Sequence, residues 1–184
     1  MLTTLWGIFG SVVSLIYAGM QGMVPCLPPA PLPTSVINTD QYMGNWYFVA
    51  AAAWDEDDIK PFRSTDSSYL HIQKGANSTL KVTEKTRGEE CQTKSWDYFV
   101  HSMTDPFLFR KDFEAAAVIW DGKWINCPSC ILILMMDEND EMYTLLYNRK
   151  ETTPDEVLQE FKSKMECVLM EDLVKSPKKN GYCK

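Results

Sequence analysis

From Trp46 to Asn148 the chain breaks into short apolar or alternating runs, each closed by turn-forming residues. Trp46 to Ala53 is apolar and aromatic. Ser67 to Gln73 alternates around Tyr69, His71 and Gln73 and stops at Lys74-Gly75-Ala76-Asn77. Thr79 to Lys85 stops at Arg87-Gly88-Glu89-Glu90, and Cys91 to Ser102 stops before Thr104-Asp105-Pro106. Phe107 to Arg110 and Glu114 to Trp120 lead to Asp121-Gly122, a dipeptide that favours a hairpin turn. Cys130 to Met136 is continuously apolar, and Asp137-Glu138-Asn139-Asp140-Glu141 returns it into Met142 to Asn148. Runs of this length and period are strands with one covered face. About eight of them in hairpin order, with no helix between, predict an all-β fold: an eight-stranded antiparallel up-and-down barrel.

A different period follows. Thr153-Pro154-Asp155-Glu156 reads as an N-cap, a proline at the first helical position, an acidic second residue and a capping-box glutamate. Val157, Leu158, Phe161, Met165 and Val168 recur at steps of three and four, so this C-terminal helix has one apolar face to cover. Upstream, Val24 to Pro33 (VPCLPPAPLP) is too rich in proline for a helix or central strand and must run as an extended arm. A length of 184 residues suits a single domain.

Charge and composition then narrow the function. With 18 basic and 25 acidic residues the net charge is −7, which argues against nucleic acid as a partner. His71 and His101 are the only histidines and share no close spacing, too few imidazoles for a His-based zinc site. Hydrolase, metalloprotease and phosphate-loop patterns do not occur in the sequence, so no catalytic residue, metal or cofactor is expected.

Residues 1–39 carry no charged side chain, and Leu5 to Met20 is apolar apart from serines and glycines. That run is short for a membrane span, which needs about 20 residues, and suits the core of a secretory signal. Its flank lacks Lys and Arg. Its candidate cleavage sites are poor, because Ile16, Tyr17 and Met20 stand where small residues are wanted before Ala18, Gly19 and Gly22. Two outcomes stay open: a signal peptide over 1–22 cut near residues 18–22, or the same segment retained as a lipid anchor ahead of a domain over 23–184. Secretion makes Cys26, Cys91, Cys127, Cys130, Cys167 and Cys183 disulfide candidates, with 15 possible connectivities. Asn77-Ser78-Thr79 is a glycosylation sequon that fits the same compartment.

Gly44-Asn45-Trp46, ahead of the first strand and followed by Tyr47-Phe48-Val49, resembles the G-x-W signature of the lipocalins. In that family the tryptophan closes the bottom of an eight-stranded calyx, which assigns barrel closure to Gly44 and Trp46. Within the family the likeness is densest to the apolipoprotein M branch, over residues 24–184. It rests on Gly44-x-Trp46-Tyr47-Phe48, Cys91-x-x-Lys94-x-Trp96-x-Tyr98, Leu145-Leu146-Tyr147-Asn148-Arg149, and Glu160-Phe161-Lys162-Ser163 leading to Cys167. Similarity to the α1-acid glycoproteins is thinner. The resemblance implies bridges Cys26–Cys167 and Cys91–Cys183. The family partner of Cys127 is replaced by Val157, leaving Cys127-Pro128-Ser129-Cys130 as a turn-closing disulfide, a pair of thiols or a redox motif. A redox site wants its first cysteine at a helix N-terminus, and this one runs into a strand.

The resemblance also implies a carrier of sphingosine 1-phosphate that rides high-density lipoprotein particles on an uncleaved signal peptide. On the fourth strand Lys94, Trp96 and Tyr98 share one face. Pointing inward, they bring a cation, an indole N–H and a phenol to one patch suited to a phosphate beside an alkyl chain. Lysine replaces the family's arginine and loses its bidentate fork. Arg110 is the candidate second cation, and Tyr147 fits the family's ligand-contacting tyrosine, with a wall aromatic as the other reading. The small residues Ala50 to Ala53 and Ala115 to Ala117 either leave ligand volume or lie under the helix.

Two functions follow: a secreted, monomeric, lipoprotein-associated carrier of sphingosine 1-phosphate or a similar lysophospholipid, or a broad carrier of small hydrophobic ligands like the α1-acid glycoproteins. An inward, desolvated Lys94 favours the first and a solvent-facing Lys94 the second. An isomerase would need a free Cys130 thiol in the calyx, and the expectation is that the protein is not an enzyme.

Overall fold

The computed structural model describes residues 28–100, 106–112, 114–137 and 141–183. The apolar leader, Cys26 and His101 lie outside the described residues. A short helix α1 (Thr34–Ile37) and a 3-10 turn (Asp40–Tyr42) precede strand β1 (Gly44–Ala53). Helix α2 (Glu56–Arg63) follows, then β2 (Ser67–Lys74), β3 (Thr79–Arg87), β4 (Cys91–Phe99), β5 (Phe107–Arg110), β6 (Ala115–Asp121), β7 (Cys130–Asp137) and β8 (Met142–Asn148). Helix α3 (Asp155–Cys167) and a short β9 (Asp172–Lys175) complete the described chain. Each strand from β2 to β7 pairs antiparallel with the next, β8 returns to β1, and β1 closes on β2, giving the up-and-down barrel.

The barrel floor is built on the Gly44-x-Trp46 step. Gly44 sits at φ +92, a left-handed conformation that L side chains resist, and an added Cβ would stand 3.4 Å from Arg149 Nη1. Trp46 is almost fully buried, its indole N–H donates to the Tyr42 carbonyl at 2.9 Å, and the Arg149 guanidinium lies 3.7 Å from its ring centroid. Arg149 also donates to the carbonyls of Asn45 and Gln41, so one cation ties the last barrel strand to the entry of the first.

Alternation along β1 changes phase at a bulge between Phe48 and Ala50. Trp46, Phe48, Ala51 and Ala53 therefore belong to the inner cluster, while Val49, Ala50 and Ala52 pack outward beneath α3 with Phe161 and Met165. The alanine run serves both purposes: volume on one face and close helix approach on the other. Below the bulge β1 pairs with β2, and above it the same edge pairs with β9.

Several details depart from the sequence reading. A helix does stand between two barrel strands. In α2 the Asp55 side chain caps the start by accepting from the Asp57 N–H at 2.9 Å, acidic residues fill the first turn, and Lys60 and Arg63 fill the last. Helix α3 begins one residue later than the capping box implies. Pro154 is its N-cap, and the Thr153 hydroxyl instead accepts from Asn148 Nδ2 at 3.0 Å. Asp121-Gly122 opens a 3-10 turn (Gly122–Ile125) rather than a two-residue hairpin. There the chain folds so tightly that a Cβ on Gly122 would fall 1.9 Å from the Cys127 carbonyl oxygen.

The C-terminal tail is strapped across the strands. Buried Asp66 accepts the N–H groups of Lys179 and Asn180 at 2.8 and 2.9 Å, and Ser67 Oγ donates to the Gly181 carbonyl at 2.6 Å. Cys183 is bonded to Cys91, and Cys127 to Cys130. Cys167 is disulfide-bonded as well.

Candidate ligand-binding site

Up-and-down topology fixes where a ligand can enter. Trp46 and the start of β1 lie at one end, so the connections β1–β2, β3–β4, β5–β6 and β7–β8 gather at the other, around the mouth. Below that mouth lies a cavity of about 790 Å³, within the range of small-molecule pockets. Most of its wall is apolar, with Leu70, Leu80, Leu108, Ile119, Ile133 and Leu145 among the side chains that face it. Ala115 and Ala117 leave room on β6 where larger residues would fill the lumen. Helix α2 covers part of the mouth: Ile59 is fully buried, and the Phe62 ring packs on Phe48 and Tyr143 with centroids 5.7 and 5.1 Å away.

The polar lining is a stripe down β4. Lys94, Trp96 and Tyr98 share its inner face and all three line the cavity, Lys94 nearest the mouth and Tyr98 paired with Leu80 near the closed end, joined by Arg110 from β5. Tyr147 lines it too, below Leu145 on β8. Their exposures differ. Lys94 faces the lumen yet is open to solvent, Trp96 is half-buried, and Tyr98 and Tyr147 are buried. Burial pushes the Tyr98 phenol up to about 12, against the opposing pull of the Arg110 charge, and pushes Tyr147 well above its ordinary value. Both phenols stay protonated at neutral pH and can donate. Tyr147 also packs on Phe48 at 5.7 Å, so it is a wall aromatic and a lumen-facing group at once.

Arg110 is not a free cation. Its guanidinium donates to both Asp112 oxygens at 2.7 and 2.8 Å and to Glu114 at 2.5 Å, and these bonds raise its pKa further. Sequence reasoning also passed over Glu84. It shares the inner face of β3 with Leu80 and Val82, pairs across the sheet with Lys94, and accepts from Ser68 Oγ at 2.9 Å. Glu89 and Glu90 line the same space at the β3–β4 turn. The mouth and its polar stripe thus carry charges of both signs rather than a purely cationic patch.

Comparison with known proteins agrees with this architecture. Among solved structures, a siderocalin described as "Ex-FABP", functioning "through dual ligand specificities", superposes with a TM-score of 0.60 at 15% identity, covering 73% of this chain and 92% of its own. At that identity the likeness concerns the fold, which is the lipocalin barrel. Apolipoprotein M of Rattus norvegicus is 24% identical over 147 residues, spanning 78% of this chain and 76% of the relative. Apolipoprotein M of Mus musculus is 22% identical over the same span. The ApoM domain model matches residues 1–184, the full length. The chain belongs to the ApoM domain family, built on a lipocalin-type barrel.

Proposed function

We propose that this protein is a non-catalytic carrier that holds one single-chain amphiphile in the calyx, with sphingosine 1-phosphate or a similar lysophospholipid as its cargo. The observation that carries this reading is the lining of the 790 Å³ cavity, mostly apolar with one polar stripe along β4 that ends in charged groups at the mouth. An alkyl chain packs on the apolar wall, and Lys94, Trp96 and Tyr98 offer a charge-assisted and hydrogen-bonding stripe to a phosphate. Apolipoprotein M relatives support the lipoprotein setting. In that setting the protein is secreted, monomeric and attached to high-density particles by a retained apolar leader. The exposed left-handed turn at Asn77 and Ser78, with φ of 55 and 56, makes Asn77 an accessible glycan acceptor.

A second reading has its own support. Lys94 is solvent-exposed and Arg110 is already paired with two carboxylates, which weakens both cations as phosphate ligands. A broad carrier of small hydrophobic ligands needs only the apolar wall. Tryptophan-fluorescence titration separates the two, using sphingosine 1-phosphate and sphingosine on the wild type and on Lys94→Ala. The lysophospholipid reading predicts that losing either the phosphate or Lys94 weakens binding about tenfold, roughly 1.4 kcal/mol. Equal affinity for both lipids, unchanged by Lys94→Ala, would leave the broad carrier.

A further inference from the structure

The strap that ties down the C-terminal tail carries the single Asn-Gly step of the sequence, Asn180-Gly181. Both residues are exposed, and Gly181 sits at φ +69, where an added Cβ would meet nothing within 4 Å. The strap grips the backbone on either side of this joint. Upstream, Asp66 accepts the Lys179 and Asn180 N–H groups at 2.8 and 2.9 Å. Downstream, the Gly181 carbonyl accepts from Ser67 Oγ at 2.6 Å and Arg87 Nε at 3.0 Å, and the Tyr182 carbonyl accepts from Arg87 Nη2 at 3.3 Å. Between the two grips, neither the Asn180 side-chain amide nor the Gly181 N–H has a hydrogen-bond partner among the described residues.

That combination matters chemically. A glycine after asparagine has no Cβ to keep its amide nitrogen away from the asparagine side chain. The other described asparagines are placed differently. Asn38, Asn126 and Asn148 precede residues whose N–H groups are held by the Val36, Gly122 and Ser129 carbonyls. Asn45 lies within β1, and Asn77 is followed by serine, whose Cβ crowds the same approach.

We propose that Asn180-Gly181 is a self-modification site whose deamidation loosens the tail strap. The Gly181 nitrogen attacks Cγ of Asn180. A bond forms between those atoms, the bond from Cγ to the side-chain nitrogen breaks, and ammonia leaves with the Gly181 proton. Water then opens the cyclic imide at one carbonyl to give aspartate or at the other to give isoaspartate, so the net change is water in and ammonia out. In the isoaspartate form the main chain runs through the former side chain, one methylene longer, with a carboxylate beside it. The added length draws the Gly181 carbonyl off Ser67 and Arg87. The new charge repels the buried Asp66 carboxylate and competes for the Arg87 guanidinium. Tyr182, whose ring packs 4.9 Å from that of Tyr47 and 6.2 Å from that of Tyr69, is carried along. The Cys91–Cys183 bridge still holds the end of the tail, so the strap slackens without leaving the barrel.

The test stores the folded protein at neutral pH and body temperature and follows isoaspartate by peptide mass mapping and enzymatic methyl labelling. Asn180→Gln is the silent control: it keeps a neutral side chain and the backbone N–H on Asp66, and its longer side chain slows ring closure. Isoaspartate should accumulate at Asn180 ahead of every other asparagine and not at that position in Asn180→Gln. In the stored wild type, hydrogen exchange at the Lys178 and Lys179 N–H groups, both bonded to Asp66, should quicken by about fivefold, the effect of one lost hydrogen bond on a local opening equilibrium. Stored Asn180→Gln should keep the rates of fresh protein. An Asn180 that stays intact, or converts no faster than the other asparagines, would overturn the site. Conversion with unchanged exchange at Lys178 and Lys179 would overturn the loosening.

Discussion

At the residue scale the balance of charge around the lumen decides what can bind. Lys94 supplies one cation, but Glu84 stands opposite it on β3 and Asp112 and Glu114 occupy Arg110. An amphiphile with a purely anionic head therefore meets repulsion as well as attraction. Replacing Glu84 with Gln keeps the Ser68 hydrogen bond feasible and removes one negative charge from the wall. The expected result is tighter binding of palmitate by about threefold to tenfold, on the order of 1 kcal/mol, read by competition with a fluorescent fatty acid. Unchanged palmitate affinity would show that Glu84 does not act on the ligand. The shared face of Lys94, Trp96 and Tyr98 was legible because strand side chains alternate with period two. The same parity places Leu80, Val82 and Glu84 together on β3, but flanking Lys81 and Lys85 make that strand look solvent-facing. Pairing of Arg110 with Asp112 and Glu114 was not legible, because it depends on how the β5–β6 turn folds back.

At the element scale, strand positions emerged from the pattern while their trimmings did not. The bulge in β1 is hidden because Phe48, Val49 and the alanines after them are all apolar, so neither phase of alternation shows a polar residue. Helix α2 is short and contains Pro61, which masks a start signal that is present in Asp55 and the acidic turn after it. Strand β9 pairs only along the upper half of β1, a consequence of the bulge rather than of its own residues. One buried carboxylate anchors the tail strap beside the Ser67 bond and the Cys91–Cys183 bridge. Asp66 is satisfied by two backbone N–H groups of the tail, so Asp66→Ala should destabilise the fold by about 2–3 kcal/mol, measured by urea denaturation. A loss under about 0.5 kcal/mol would mean that the Cys91–Cys183 bridge and the Ser67 contact hold the tail without it.

At the scale of the whole molecule, barrel order, the C-terminal helix and the closing Gly44-x-Trp46 step were all written in local patterns, and the family model spanning the chain agrees with them. The calyx volume was less legible, since it arises from where Ala115 and Ala117 stand relative to Ile133 and Leu145 across the lumen. The short β4–β5 ladder arises from β5 being only four residues long beside a nine-residue β4. These are properties of register, which no single segment encodes.

The central claim is that ligand occupies the calyx, and Ala117→Trp tests it most directly by placing an indole where a small, buried side chain now borders the lumen. Titration of the wild type with sphingosine 1-phosphate should saturate at one lipid per chain. A folded Ala117→Trp variant, verified by circular dichroism, should lose at least about tenfold in affinity, or roughly 1.4 kcal/mol. Equal binding by that variant would place the lipid outside the barrel and contradict the account.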